Sequence, residues 1–115
     1  PTLPVLRNFI RDVITDTQPE PIKIERIIEE VARTYRVSES DILSKRKTAQ
    51  LAQARQIAMY IARETTELPY QAIGESFGKD HSTVLYNVRK VEDFLKDKPY
   101  EKEVVDEIIR NLKEE

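Results

Sequence analysis

The 115-residue sequence predicts an all-α bundle of six or seven helices. Three observations carry that prediction. Apolar residues recur along the chain at the three-to-four-residue spacing that places them on one face of a helix. No stretch alternates apolar and polar residues in the manner of a half-buried strand. Charged residues make up 35% of the chain and hydrophobic ones 39%, a charge-rich balance suited to short helices around a single core. There is no internal repeat.

The elements follow in order. Leu3, Val5, Leu6, Phe9, Ile10, Val13 and Ile14 share one helical face. The segment Thr15-Asp16-Thr17-Gln18-Pro19-Glu20-Pro21 then breaks the pattern as a linker or tight bend. Residues 1–21 are thus expected to form a connecting helix and linker, and residues 22–115 the domain proper. The start at Pro1 rather than Met is read as a fragment or processed chain. Ile24, Ile27, Ile28, Val31, Ala32 and Tyr35 define the next helix, about 22–35. Val37–Leu43 reads as a short helix capped by Ser38, with Asp41 three residues on as in a capping box. A basic loop, Ser44-Lys45-Arg46-Lys47-Thr48, follows.

The clearest helix spans about 50–64, with Leu51, Ala54, Ile57, Ala58, Ile61 and Ala62 in one stripe. Leu68-Pro69 separates it from a short helix at 70–76, whose core side is Ile73 and Phe77. Gly78 makes a turn into a helix at about 81–96. There Val84, Leu85, Val88, Val91 and Leu95 form the buried stripe, and Ser82, Thr83, Tyr86, Asn87 and Lys90 point outward. Asp97-Lys98-Pro99 ends it. A last helix at about 100–112 buries Val104, Val105, Ile108, Ile109 and Leu112.

The inventory excludes several chemistries. There is no Cys, so no disulfide, thiolate metal site or cysteine nucleophile. His81 is the only histidine, and a zinc site would need carboxylates for nearly every other ligand, so no metal is expected. Neighbouring helical residues diverge by about 100°, so His81 and Ser82 do not form a nucleophile–base pair. Gly74 and Gly78 are the only glycines, and no GxxxxGK[ST] loop is present to cradle a nucleotide. No cofactor and no enzymatic role are expected of this chain. No apolar run reaches the roughly 20 residues of a membrane span, and a cytoplasmic location is expected.

The charge distribution is informative where the net charge of −2 is not. Between Ile42 and Arg63 stand Lys45, Arg46, Lys47, Arg55 and Arg63 with no acid, whereas Glu92–Glu115 holds nine acids against five bases. A local basic stripe attracts phosphate whatever the total charge. The first turn of the 81–96 helix carries Asp80, His81, Ser82 and Thr83, short polar groups at the place where a helix-turn-helix meets base edges in the major groove. The loop cations can reach a narrow groove or the phosphates. The two together would clasp a duplex over about one helical turn. If three to five phosphates are neutralised, log K falls against log salt with a slope of about −3 to −4.5.

Ile73-Gly74-Glu75-Ser76-Phe77 followed by Gly78-Lys79-Asp80-His81-Ser82-Thr83-Val84-Leu85 resembles the signature at the C-terminal end of the bacterial replication initiator family DnaA. Asp41-Ile42-Leu43-Ser44-Lys45-Arg46-Lys47 and Ala54-Arg55-Gln56-Ile57-Ala58-Met59-Tyr60 are similar to that family's basic loop and following helix. The resemblance spans about residues 22–112. It implies a Trp-repressor-like, helix-turn-helix domain that binds short duplex boxes of a replication origin. It further implies base contacts by Lys47 in the minor groove and by Asp80, His81, Ser82 and Thr83 in the major groove. Lys45, Arg46, Thr48, Arg55, Gln56, Gln71 and Lys79 match positions at or beside the DNA backbone. The implied partners are double-stranded origin DNA and, in the full-length protein, other copies of the initiator, in a nucleoid-associated setting. The family's ATP-binding module has no counterpart in this chain, and residues 1–18 are expected to be its tail or the connecting helix. The sequence departs from the common GGRDHTTV pattern: one glycine is missing, Lys79 replaces an arginine and Ser82 a threonine. Lys47 replaces the family's usual arginine, exchanging a planar multi-donor head for a point charge.

Two other readings make different predictions. A transcription or transposition regulator of the same fold would prefer other target sites. A protein-interaction module would use the acidic Glu92–Glu115 helix as its docking face and show no salt-sensitive DNA binding.

Overall fold

The computed structural model describes residues 22–114, which form six helices and, among the described residues, no strand. These are α1 (Ile24–Tyr35), α2 (Glu39–Ile42), α3 (Ala49–Thr65), α4 (Tyr70–Phe77), α5 (His81–Asp97) and α6 (Pro99–Glu114). The expected helix at 3–14 and the linker after it lie outside the described residues.

Each boundary has a local cause. α1 ends where Arg36 turns left-handed at φ 60° and its N–H bonds back to the Ala32 carbonyl. Ser38 Oγ accepts from Asp41 N–H at 3.0 Å and caps α2; Asp41 does not reach back, so only half of the expected capping box forms. Thr48 Oγ1 accepts from Leu51 N–H at 3.2 Å and starts α3. Pro69 precedes α4, where its lack of an N–H costs nothing.

α3 is the central strut, packed against α1 on one side and α5 on the other, with α6 closing over α1 and α5. The six predicted α3 stripe residues are all buried, and Met59 joins them at 0% exposure. Ile73 and Phe77 of α4 and Val84, Val88, Val91 and Leu95 of α5 complete the core from below. Leu85, Val104 and Ile109, expected in the core, are half-buried at its margin.

One acid sits in this core. Glu30 is 3% exposed and receives hydrogen bonds from Arg26 and Arg33 of the same helix. Burial alone would raise its carboxyl, but the two guanidinium hydrogen bonds and their charge outweigh it and hold the group below the ordinary value of 4.5. A depressed carboxyl stabilises the fold above its unfolded-state value, and that contribution disappears as pH falls through the folded-state value. Glu30→Gln is therefore expected to cost about 1–2 kcal/mol at pH 7, one partner being largely exposed. Thermal melts should show the gap between Glu30→Gln and the parent closing as pH falls below the ordinary carboxyl value of 4.5. A gap independent of pH would contradict this reading.

Candidate nucleic-acid interface

The turn between α4 and α5 is built on two glycines that act differently. Gly78 adopts φ 70° as the left-handed cap of α4, a conformation that costs other residues about 1–2 kcal/mol. Gly74 lies inside α4, where the backbone of Lys79 and Asp80 leaves no room for a side chain. A Cβ there would stand 2.3 Å from the Lys79 carbonyl oxygen and 3.3 Å from that of Asp80. The Lys79 N–H closes the same contact, donating to the Gly74 carbonyl at 2.8 Å. Backbone therefore packs on backbone, and this close approach sets where α5 begins.

Asp80 caps α5: its Oδ1 accepts from the Thr83 N–H at 2.8 Å. The side-chain and backbone hydrogen bonds from Thr83 hold the Asp80 carboxyl below its ordinary value. Thr83 is accordingly half-buried and turned toward the cap, not fully outward as its helix position suggested. His81 and Ser82 are exposed on that turn, as are Lys79 just before it and Gln71 at the start of α4. Asn87 is likewise half-buried, while Tyr86 is 64% exposed with Lys90 Nζ 5.9 Å from its ring centroid.

The basic loop is a bent, hydrogen-bonded segment. Ser44 Oγ donates to the Asp41 carbonyl at 2.7 Å and accepts from Arg46 N–H at 3.2 Å. Lys45, Arg46, Lys47 and Thr48 are all exposed. Arg46 pairs with Asp41 at 3.3 Å, an exposed ion pair of at most about 1 kcal/mol that a phosphate can displace.

The five-residue basic stripe does not survive as one surface. Arg55 corrects the expectation of a phosphate-facing side chain: it is 8% exposed and donates to three carbonyls of the protein itself. The physical reason is its helical register. Arg55 lies four residues after Leu51 and four before Met59, both buried, so its stem faces inward. Gln56 is half-buried and its Nε2 donates to Asn87 Oδ1 at 3.3 Å, so it too engages the protein. Arg63 stands about 21 Å along α3 from Ala49, at a rise of about 1.5 Å per residue. There it donates to the Leu68 carbonyl at 3.2 Å, with its guanidinium 4.6 Å from the Tyr70 ring centroid. What remains in the loop is a compact group of three exposed cations, with Lys79 exposed at the turn.

Sequence reasoning missed the packing role of Gly74 and the tie made by Asn87. The first had a legible signal, a glycine between the buried Ile73 and Phe77 on a helical face. The second had none, because an asparagine at a stripe's edge reads equally well as solvent-facing. Among the described residues, no group of three or more histidine or acidic side chains gathers to hold a metal, and no helix is long and apolar enough to cross a membrane.

Residues 24–91 match the family described as the bacterial dnaA protein helix-turn-helix. The chain is similar over 114 residues, at 43% identity, to the chromosomal replication initiator protein DnaA of a Rhodopseudomonas palustris strain, an alignment covering 98% of this chain and 24% of that protein. It is 48% identical over 92 residues to the protein of the same name from Nitrobacter hamburgensis, covering 79% of this chain and 19% of the relative. The Bradyrhizobium sp. protein of that name is 47% identical over 92 residues, with the same coverage. The chain thus spans at most about a quarter of the length of these curated relatives.

Proposed function

The chain belongs to the bacterial DnaA helix-turn-helix family, and we propose that it binds double-stranded DNA sequence-specifically at replication-origin boxes, anchoring an initiator there. The observation that carries the reading is the first turn of α5. Its backbone is fixed at both ends, by the Gly74–Lys79 approach and by the Asp80 cap, while His81 and Ser82 stand free of the protein. A polar helix start that is rigid and outward is suited to base edges, because little rotational freedom remains to be lost on binding. Asp80, His81, Ser82 and Thr83 read the major groove. Lys47 enters the adjacent minor groove, and Lys45, Arg46, Thr48, Gln71 and Lys79 lie along the backbone. Two of these carry a second duty, since Thr48 and Asp80 are also helix caps. Other copies of the initiator, bound at neighbouring boxes, are the expected protein partners, in a cytoplasmic, nucleoid-associated setting.

The test is an anisotropy titration of the chain on an origin-box duplex and on a shuffled duplex of equal composition. His81→Ala and Lys47→Ala should each weaken box binding by about 1–3 kcal/mol, roughly 5- to 150-fold. His81→Ala should leave shuffled-duplex binding nearly unchanged, because that rests on phosphate contacts. Specific affinity that survives both substitutions would end the site assignment. Equal affinity for box and shuffled duplex would favour a regulator with other targets or a non-specific role.

A further inference from the structure

Two adjacent residues of α3 were expected on the DNA backbone and instead hold the protein's own elements. Arg55 Nε donates to the Ile42 carbonyl at 2.6 Å, and Nη2 donates to the carbonyls of Asp41 at 3.0 Å and Ser44 at 3.1 Å. These carbonyls end α2 and begin the basic loop. A four-residue helix satisfies few of its own C-terminal acceptors, so a buried forked cation is well matched to them in hydrogen bonding and in dipole. On the next residue, Gln56 donates to Asn87 Oδ1, and Asn87 Nδ2 in turn lies 3.4 Å from Met59 Sδ of α3. Asn87 sits six residues into α5, about 9 Å along its axis from His81.

We propose that α3 is the ruler of the DNA-binding surface: Arg55 is a positioning residue for the Ser44–Lys47 loop, and the Gln56–Asn87 bond sets the seating of α5. The spacing between Lys47 and His81 is then fixed by two consecutive residues that point about 100° apart around α3. This rests on the DNA-binding reading above and replaces direct phosphate contact as the role of Arg55 and Gln56. The chemistry separates the two roles. A phosphate accepts a lysine ammonium as a point charge nearly as well as a guanidinium. Three carbonyls spaced around a planar fork cannot be served by one lysine nitrogen.

The experiment uses the whole chain with Arg55→Lys and Arg55→Ala. Binding is titrated on box and shuffled duplex over a range of salt, and amide hydrogen exchange of Ser44–Lys47 is followed in the free protein. Arg55→Lys should lower box affinity about tenfold or more, leave shuffled-duplex affinity close to the parent, and keep the salt slope. Exchange at the loop amides should accelerate while that of α6 stays slow. The proposal is overturned if Arg55→Lys binds the box like the parent while Arg55→Ala flattens the salt slope by about 0.9, the signature of one lost phosphate contact. If the parent chain does not distinguish box from shuffled duplex, the DNA reading fails by itself. Unchanged loop exchange in Arg55→Lys would still refute the loop role separately. Should Arg55→Lys unfold the domain, Asn87→Ala tests the other arm. Asn87→Ala and His81→Ala should then be non-additive on box binding by about fivefold, and strict additivity would reject the ruler.

Discussion

Gly74→Ala is expected to abolish box-specific binding while leaving most of the fold in place. The new Cβ would fall 2.3 Å from the Lys79 carbonyl oxygen, and that atom is backbone, so no rotamer change relieves the contact. The α4–α5 turn must move away by an ångström or more, carrying Asp80 and His81 with it. Alanine's better helix propensity returns about 1 kcal/mol, against about 1–3 kcal/mol for overpacking a tight site. The net loss of stability is therefore modest, about 0–2 kcal/mol. The loss of binding is larger, because every group proposed to read the major groove rides on the displaced turn. With two or more base contacts misplaced at about 1–3 kcal/mol each, box affinity should fall about 30-fold or further. Gly78→Ala is the control. It meets nothing within 4 Å, and its penalty is the left-handed φ alone. It should melt at lower temperature yet keep the specificity ratio within a few fold. Paired melts and titrations would decide the matter, and a Gly74→Ala protein that still prefers the box would show that the turn does not set the reading head.

The same two glycines show how far the sequence could be read. Gly78 was legible because a glycine after Phe77 and before a capping aspartate is local chemistry, and helix ends are decided locally. Five of the six described helices were legible for a related reason, one apolar stripe per segment fixing both the period and the buried face, and α2 was legible from its Ser38 cap. The role of Gly74 was legible only in part: a glycine between Ile73 and Phe77 signals a crowded face, but what crowds it is the Lys79 backbone five residues later, which the local pattern does not name. Arg55 fails in a more instructive way. Charge run and helix face give opposite instructions at that position, and in the fold the helix face prevails. The spacing from Leu51 and to Met59 points inward, and the carbonyls of Asp41 and Ile42 at the end of α2 and of Ser44 in the loop after it supply acceptors for a cation buried there. A composition count shows that cations are concentrated. It cannot show which of them the fold has already used.

That distinction changes the expected salt dependence, and the change is measurable. With Arg55 turned inward and Arg63 at the far end of α3, the cations left to the proposed interface are Lys45, Arg46, Lys47 and Lys79, all exposed. Four phosphates at most are then neutralised by this set, which bounds the slope of log K against log salt at about −3.6 instead of the −4.5 that five would give. Replacing Lys45, Arg46 and Lys47 together by alanine should flatten the slope by about 2.7. At 0.1 M salt, extrapolated from 1 M, the same change corresponds to a loss of about 500-fold in affinity on the shuffled duplex, and at least as much on the box, which also loses Lys47 from the minor groove. The three side chains are exposed and only Arg46 has an ion partner, so the fold should tolerate the change with a shift in stability within about 0.5 kcal/mol. His81→Ala does the reverse, removing discrimination and leaving the slope. A parent slope clearly steeper than about −3.6 would mean that cations outside this loop and turn reach the duplex. A triple variant with the parent's slope would remove the loop from the interface altogether and leave α5 alone to account for binding.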